Sequence, residues 1–281
     1  MNRAIDLARL PAGEHAALAA AIAAAGLVCF PTDTVYGIGG VVSPATGRAI
    51  ARVKGRRADK PLQVVYPTLE LLLAGVALSP AVAAAARRLL PGPFTLVVPY
   101  PDGVTFPPCG LVLWPAGEQG ADDDDDGADD DDDGADDDDD GDDDDDDGAD
   151  DDGEGIAGAG AGVRGTGAGV RGAGGSPTVV PTLGVRVPRW PPAARALARL
   201  PFPLLASSAN VSGERDPAGL ADVAPGVRAA CDLLLDAGPT SGVSSTVLDL
   251  SGLQTGRGFR VLRPGAVGAA EITAILASEE G

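Results

Sequence analysis

The sequence predicts an α/β protein whose strands form one mixed sheet. Short apolar runs rich in Val, Leu and Phe alternate along the chain with segments of helical character. Few of these runs alternate polar and apolar residues, which predicts a sheet covered on both faces. Acidic residues are concentrated in one stretch, which divides the predicted domain in two.

The elements of the predicted domain follow from local signals. An Ala-rich helix over His15–Gly26 ends at a glycine suited to the C′ position, and Ser43 is the N-cap of a second helix through about Val53. Further helices are predicted over Pro80–Leu90 and Pro192–Leu200. The predicted strands are Leu27–Pro31, Pro61–Tyr66, Phe94–Tyr100, Leu183–Pro188, Leu204–Ala206, Cys231–Asp236, Ser245–Leu250 and Arg260–Arg263.

The net charge of −20 over 281 residues is the sum of two segments with opposite charge. Residues 118–176 contain 24 aspartates, two glutamates and two arginines, for a net of −24, and the rest of the chain carries +4. The total charge alone argues against a nucleic-acid binder, but the +4 of the residues outside this segment removes that exclusion.

The acidic segment is predicted to be a disordered, low-complexity insertion. Its glycines recur every seven residues, yet no apolar positions are available for a coiled-coil seam, and the pattern of calcium-binding β-helix repeats is absent. Too few apolar groups are present to offset the entropy of ordering. The predicted domain is therefore discontinuous, over residues 1–117 and 177–281. A weak cation sink or an interaction tail is the alternative role for residues 118–176.

Composition excludes several classes of site. The single histidine, His15, rules out triads and metal centres that need two imidazoles. The three cysteines are odd in number and widely spaced, which predicts reduced thiols, no zinc framework and no metal site. The sequence shows no secretory leader and no apolar stretch of membrane-spanning length, so we expect a cytoplasmic protein with no membrane partner. Neither a Walker loop nor a GxGxxG motif occurs.

Four motifs could contact a ligand, and each has a plainer interpretation. Lys54-Gly55-Arg56-Arg57 suits a polyphosphate, or is a solvated basic loop. The segments 207–213 (SSANVSG) and 242–246 (GVSST) offer donors and acceptors, or build turns and caps. The segment 31–39 (PTDTVYGIG) places hydroxyls, a carboxylate and a phenol at a strand end, where open α/β sheets bind ligands, or is a simple loop.

The order of these motifs is more specific than any one of them. FPTDTVYGIGG, KGRRADKPL, PGPFTLVVP, GVRVP, SSANVSG, SSTVLDL and VLRPGAV occur in this order across nearly all of the chain outside the acidic segment. Together they resemble the YrdC-like threonylcarbamoyl-AMP (L-threonylcarbamoyladenylate) synthase family, in its short, single-domain form. The resemblance implies a twisted, open sheet around a concave, positively charged cavity.

The resemblance also implies an activity and partners. Members of that family are nucleotidyltransferases that combine L-threonine, bicarbonate and ATP, with Mg²⁺ on the ATP phosphates, into threonylcarbamoyl-AMP and pyrophosphate. A partner threonylcarbamoyl transferase then modifies adenosine in tRNA, and tRNA or double-stranded RNA is a further candidate partner. A non-catalytic RNA-binding or ribosome-assembly module on the same fold is the alternative. The hydrogenase-maturation version of the domain is disfavoured because zinc-finger-like cysteine motifs are absent.

By the same resemblance, the catalytic residues are Lys54, Arg56, Ser208 and Asn210. The set implied for ATP is Lys54, Arg56, Lys60, Thr182, Asn210 and Arg263, and the set for L-threonine is Thr34, Arg186, Ser208 and Ser245. Two positions depart from the family pattern: Ser244 stands where Glu is frequent, and Lys60 where Asn is common. Both departures bear on contacts rather than on the reaction, which needs no histidine base and no protein nucleophile.

Overall fold

A computed structural model describes residues 3–11, 13–55, 62–99 and 182–278. Within these ranges it has ten strands, six α-helices and four short 3-10 helices. The strands are Arg3–Asp6 (β1), Val28–Phe30 (β2), Gly37–Val41 (β3), Gln63–Val65 (β4), Phe94–Pro99 (β5), Thr182–Arg186 (β6), Leu204–Ser208 (β7), Leu233–Asp236 (β8), Thr246–Asp249 (β9) and Arg260–Arg263 (β10). The α-helices are His15–Ala24 (α1), Pro44–Val53 (α2), Leu69–Gly75 (α3), Pro80–Leu89 (α4), Pro225–Ala230 (α5) and Ala269–Ala277 (α6).

The strands form one open, mixed sheet in the order β1-β8-β2-β3-β7-β4-β6-β5-β9-β10. The pairs β1–β8, β2–β8, β4–β6 and β5–β9 are parallel, and the remaining pairs are antiparallel. Pro99 and Thr182 are cross-strand partners, so the two strands that flank the acidic segment are neighbours in the sheet. The predicted α/β class with a mixed sheet is therefore confirmed.

Apolar residues cover both faces of the sheet around β2. Val28 and Phe30 lie in a core with Leu18 and Ile22 of α1, whereas Cys29 belongs to a larger core on the opposite face. All three residues of β2 are almost fully buried. This agrees with the prediction of a two-sided sheet, because strands buried on both faces lack polar alternation.

The face that α1 covers at one end of the sheet becomes polar at the other end. Leu183 and Val185 of β6 point into the larger core, so their neighbours Thr182, Gly184 and Arg186 face the opposite side. Gln63 of β4 and Thr95 of β5 face this side too, because their neighbours Val64 and Leu96 lie in the larger core. The polar side chains of Gln63, Thr95, Thr182 and Arg186 thus lie on one face of β4, β6 and β5, beside the apolar Val65 and Val97.

Most predicted elements are present, with two kinds of difference. The helix predicted over Pro192–Leu200 is a 3-10 helix, Pro192–Arg199, and the predicted strand at Leu204 extends to Ser208. The strands β1 and β3 and the helices α3, α5 and α6 were not predicted. Strand β3 was missed because three of its five residues are glycine, which is unfavourable in isolated strands. A Cβ atom on Gly39 would lie 2.2 Å from the carbonyl oxygen of Leu205, so close packing against β7 requires glycine there.

Within the described ranges, no helix has the length and apolar character needed to cross a membrane. The predicted insertion over residues 118–176, together with Arg56, Lys60 and Cys109, lies outside the described residues.

Candidate active site

The side chain of Lys54 connects the end of α2 to the loop after β7. Helix α2 begins as predicted, because Ser43 Oγ accepts a hydrogen bond from the amide of Thr46 at 3.1 Å. Lys54 follows the last residue of α2 and is 4% exposed. Its Nζ donates to the carbonyl oxygen of Ser208 at 2.7 Å and to Oδ1 of Asn210 at 3.0 Å. The ammonium is thus held by the Ser-x-Asn segment, 154 residues away along the chain.

Ser208 and Asn210 are also bonded to each other. Ser208 Oγ donates to Asn210 Oδ1 at 2.5 Å and lies 3.4 Å from the Nζ of Lys54. Asn210 Nδ2 donates to the carbonyl oxygen of Glu214 at 2.7 Å, which orients the amide with its oxygen toward Lys54. These contacts produce a loop whose oxygen atoms surround one cation, an arrangement that fixes a positive charge in place.

Arg186 is the largest side chain that is almost fully buried, at 2% exposed. Its Nη2 lies 2.6 Å from Oδ1 of Asp33 and 2.6 Å from Oγ1 of Thr34, and 3.3 Å from Oγ1 of Thr32. Burial lowers the pKa of this guanidinium, and the charge of Asp33 opposes that effect. Nε of Arg186 is buried and has no hydrogen-bond partner within the described part of the chain. The buried Nε–H therefore remains available as a donor.

The loop after β2 is stabilised by its own side chains and by the loop after β8. Thr32 Oγ1 accepts from the amides of Thr34 at 3.2 Å and Val35 at 3.3 Å, and donates to the carbonyl oxygen of Val35 at 2.7 Å. The carbonyl oxygen of Thr34 accepts from the amide of Gly242 at 2.8 Å and from Ser241 Oγ at 3.1 Å. Thr34 is therefore fixed from two directions, with its hydroxyl beside Arg186.

Ser245 directly precedes β9 and is 3% exposed. Its Oγ lies 2.8 Å from Thr95 Oγ1, and its carbonyl oxygen accepts from Nη2 of Arg263 at 3.1 Å. A Cβ atom on Gly265 would lie 2.5 Å from the carbonyl carbon of Ser245, so the segment after β10 can lie against this backbone only with glycine at 265. Ser245 is thus held between β5 and the chain that follows β10.

Ser244, one of the two departures from the family pattern, contacts a carboxylate. Its Oγ donates to Oδ2 of Asp216, in the loop after β7. The amide of Thr240 donates to the carbonyl oxygen of Ala218 at 2.7 Å and strengthens the same connection. The loops after β7 and β8 are therefore joined beside Ser245, and Asp216 brings a carboxylate to Ser244.

Three other buried titratable groups have raised pKa values. Burial raises the pKa of Tyr36, whose hydroxyl lies 2.8 Å from the carbonyl oxygen of Gly238 and 3.0 Å from Oδ1 of Asp236. Cys29 and Cys231 are free thiols. Burial raises the pKa of Cys29 and raises that of Cys231 to about 12. Both thiols are therefore poor nucleophiles near neutral pH.

Five of the eight predicted site residues that the structure describes lie in two hydrogen-bonded groups. Lys54, Ser208 and Asn210 form one group, and Arg186 with Thr34 forms the other. The backbone connects the groups, since Gly37 pairs with Ser208 three residues after Thr34. Thr182 is 1% exposed and faces the same side of the sheet as Arg186. Arg263, in β10, donates to the carbonyl oxygen of Ser245. The functional role of each of these predicted site residues stays a prediction.

The sequence did not single out several residues that hold this arrangement. The sequence predicts a carboxylate, Asp33, at a strand end but does not assign it to the site, although it contacts Arg186 directly. No sequence motif points to Gln63, Thr95 or Asp216. A polar residue inside an apolar run, as in Gln63-Val64-Val65, was the available signal for the first two.

The described residues contain no group of three or more His, Cys, Asp or Glu side chains close enough to hold a metal ion. Cationic and hydroxyl groups predominate instead, and these suit anionic ligands.

A family model for the Sua5/YciO/YrdC domain, described as "Telomere recombination", matches residues 20–108 and 177–265. The chain belongs to this family. The model thus matches on both sides of the acidic segment and leaves residues 109–176 unmatched.

Two curated members of the Sua5/YciO/YrdC family are similar to parts of the chain. The threonylcarbamoyl-AMP synthase of Pyrococcus abyssi is 40% identical over 80 residues, which are 28% of this chain and 24% of that protein. The threonylcarbamoyl-AMP synthase of Thiobacillus denitrificans is 37% identical over 89 residues, which are 31% of this chain and 47% of that protein. The match therefore spans about a quarter and about half of these relatives.

Solved structures of P. abyssi Sua5 resemble the fold. A variant of that protein has a TM-score of 0.65 at 25% identity, covering 99% of this chain and 64% of the other. The complex of P. abyssi Sua5 with L-threonine has a TM-score of 0.61 at 26% identity, covering 99% and 60%. These matches agree with a twisted open α/β sheet.

Proposed function

We propose that this protein is a threonylcarbamoyl-AMP synthase, which converts L-threonine, bicarbonate and ATP into threonylcarbamoyl-AMP and pyrophosphate. The contact of Lys54 with both Ser208 and Asn210 is the observation that carries the proposal. These three residues come from distant parts of the sequence and match three positions of the family's K-x-R…S-x-N motif. Two relatives that bear this activity in their names support the same assignment.

The amino-acid half of the site centres on Arg186. A carboxylate is the natural partner of a guanidinium, and Nε of Arg186 is a buried donor that an incoming carboxylate would satisfy. The hydroxyl of Thr34 lies beside Arg186, that of Ser245 contacts Thr95, and Ser208 is the remaining member of the proposed set. P. abyssi Sua5 has been solved with L-threonine, which supports this class of substrate.

The nucleotide half is proposed to include Lys54, Asn210, Thr182 and Arg263, with Arg56 and Lys60 from the neighbouring segment. Lys54 is fixed before substrate arrives, so its charge needs little reorganisation when negative charge develops on the α-phosphate. Mg²⁺ enters as part of the MgATP substrate, which agrees with the cationic character of the side chains assigned here.

The proposed reaction depends on positioning and charge rather than on a protein nucleophile. The threonine amine attacks the bicarbonate carbon and water leaves, giving a carbamate. A carbamate oxygen then attacks the α-phosphorus, and the bond to the β-phosphate oxygen breaks to release pyrophosphate. Arg186 would orient the amino acid, and Lys54 and Arg56 would stabilise the charge on the transferring phosphorus. The raised pKa of both described thiols agrees with a mechanism that uses no cysteine.

The proposed product requires a second enzyme that accepts it. A mixed anhydride of a carbamate and AMP is reactive, so a partner threonylcarbamoyl transferase would accept the group and pass it to adenosine in tRNA. We place the protein in the cytoplasm, where that substrate is found, and keep direct binding of tRNA or double-stranded RNA within the proposal. The catalytic domain would consist of residues 1–117 and 177–281, an arrangement supported by the pairing of Pro99 with Thr182.

Pyrophosphate release from ATP and bicarbonate, with and without L-threonine, tests the proposal on the full chain. We expect release only when threonine is present, together with a product whose mass is that of threonylcarbamoyl-AMP. Release that does not depend on threonine, or no release from folded protein, would overturn the synthase assignment. A protein that bound RNA but formed no adenylate would instead support the non-catalytic module.

A further inference from the structure

A chain of three side chains crosses the polar face of the sheet and ends at Ser245. Thr95 Oγ1 donates to Oε1 of Gln63 at 2.8 Å, and Ser245 Oγ lies 2.8 Å from the same Thr95 oxygen. Thr95 is 4% exposed and Ser245 is 3% exposed, so water competes little for these bonds. Gln63 belongs to β4 and Thr95 to β5, and Ser245 directly precedes β9.

The strand order makes this contact possible. Strand β6 lies between β4 and β5, and Gly184 of β6 pairs with Gln63 on one side and Val97 on the other. A Cβ atom on Gly184 would lie 3.8 Å from the Cβ atom of Gln63, on the same face. Because glycine has no side chain, Gln63 can extend over β6 and reach Thr95. Any long side chain at position 184 would occupy that path.

With the amide of Gln63 oriented as in the structure, its oxygen toward Thr95, the number of available protons sets the direction of each bond. A threonine hydroxyl has one proton, and Thr95 gives it to the amide oxygen of Gln63, which can only accept. The bond between Thr95 and Ser245 must then use the proton of Ser245. With its proton committed to Thr95, Ser245 Oγ offers only lone pairs to any ligand.

We propose that Gln63 and Thr95 are positioning residues that make Ser245 a hydrogen-bond acceptor for a donor group of the amino-acid substrate. This inference rests on the proposed function and adds a basis for specificity to it. L-Threonine has two such donors, its ammonium and its hydroxyl, and Arg186 and Thr34 lie on the same polar face to hold its carboxylate. A buried acceptor disfavours ligands that leave it unpaired.

Calorimetric binding of L-threonine to the full chain tests the inference with four variants: Thr95→Val, Thr95→Ser, Ser245→Ala and the double variant Ser245→Ala/Thr95→Val. Thr95→Val keeps the shape but removes the hydroxyl, and we expect it to weaken threonine binding about tenfold, as for loss of one buried hydrogen-bond partner. Thr95→Ser keeps the hydroxyl and should bind within about twofold of wild type. Adding Thr95→Val to Ser245→Ala should cost at most a further twofold, because Thr95 acts through Ser245.

ATP affinity is the control measurement, because a general structural defect at Thr95 would change it as well. We expect it to be unchanged in Thr95→Val, and a parallel loss of ATP binding would overturn the inference. Normal threonine affinity in Thr95→Val would also overturn the inference. It would be overturned as well if Thr95→Val reduced threonine affinity equally in the wild-type and the Ser245→Ala backgrounds. If Thr95→Val does not fold, Gln63→Leu at a half-buried position carries the same expectations.

Different results overturn the proposed function and the positioning role of Thr95. Wild-type protein that binds no L-threonine would overturn the proposed function, and the inference with it. Wild-type protein that binds threonine and loses affinity in Ser245→Ala, but not in Thr95→Val or Gln63→Leu, would overturn the positioning role alone. Normal threonine affinity in Ser245→Ala would show that Ser245 does not bind threonine, and would also refute the inference.

Discussion

The carboxylate of Asp33 holds the guanidinium of Arg186 with one oxygen and the backbone of the following segment with the other. Oδ1 lies 2.6 Å from Nη2 of Arg186, and Oδ2 accepts from the amide of Arg189 at 3.0 Å. A single side chain after β2 therefore sets both the position of the buried cation and the path of the chain after β6. Loss of the Asp33 carboxylate should therefore weaken amino-acid binding more than nucleotide binding.

Asp33→Asn is expected to raise the KM for L-threonine about tenfold while the KM for ATP changes little. Asparagine has one acceptor oxygen where aspartate has two, so either the Arg186 contact or the Arg189 contact is lost, along with the charge. Steady-state pyrophosphate release measures both constants. Asp232→Asn is the matched control, because Asp232 accepts from the amide of Gly26 at 2.7 Å and belongs to neither proposed half-site. Equal effects of the two variants on the threonine KM would refute the role of Asp33.

Lys54→Ala is expected to reduce pyrophosphate release by at least about a hundredfold, as for loss of a fixed transition-state contact. The variant should remain folded by circular dichroism, since Lys54 lies just after the end of α2 rather than within the helix. Arg52→Ala, which removes an exposed cation from the last turn of α2, should retain near-normal activity. Arg56→Ala should behave like Lys54→Ala. Near-normal rates in Lys54→Ala would show that the phosphate assignment is wrong.

Stability is expected to fall as the pH rises above about 9, in part because of Cys231. Burial raises the pKa of this thiol from 9.0 to about 12, so between these values the unfolded chain loses a proton that the folded chain keeps. The contribution is complete below pH 9 and is lost as the pH rises toward 12. The free energy of unfolding, measured with urea across this range, should fall by about 1.4 kcal/mol per pH unit more in wild type than in Cys231→Ala. Parallel pH profiles for the two proteins would contradict the assignment.

Deletion of residues 118–176 is expected to leave threonine-dependent pyrophosphate release within a few-fold of wild type. Pro99 and Thr182, on either side of this region, are already paired in the sheet, and the segment contributes charge but few apolar groups. The comparison should be made at two salt concentrations, since any effect of 24 aspartates on ATP would weaken with screening. A large loss at both concentrations would identify residues 118–176 as a functional element.

The sequence predicted those features that are encoded locally. Ser43 was identified as an N-cap because the capping signal lies within four residues of the helix, and the strand at Phe94 was evident from its own apolar run. The contact between Gln63 and Thr95 could not be predicted, because it depends on β6 lying between their strands and on glycine at position 184. The contact of Asp33 with Arg186 likewise joins residues 153 positions apart. The resemblance to a family supplied Arg186 itself, but not the carboxylate that holds it.

The sheet order also has a consequence for how this protein is made. Strand β8, which begins at Leu233, lies between β1 and β2, and β5 has β9 as its parallel neighbour. Within the described residues β1 has β8 as its one strand partner, and β2, although it pairs early with β3, also needs β8 on its other edge. These pairings must wait for about 200 further residues, and at typical elongation rates that delay is on the order of ten seconds or more. The edge of β2 that pairs with β8 would stay open during this interval, and non-local pairing of this kind is slow in itself. Yield in cells should consequently respond to translation speed and chaperone supply more than the stability of the finished protein would suggest.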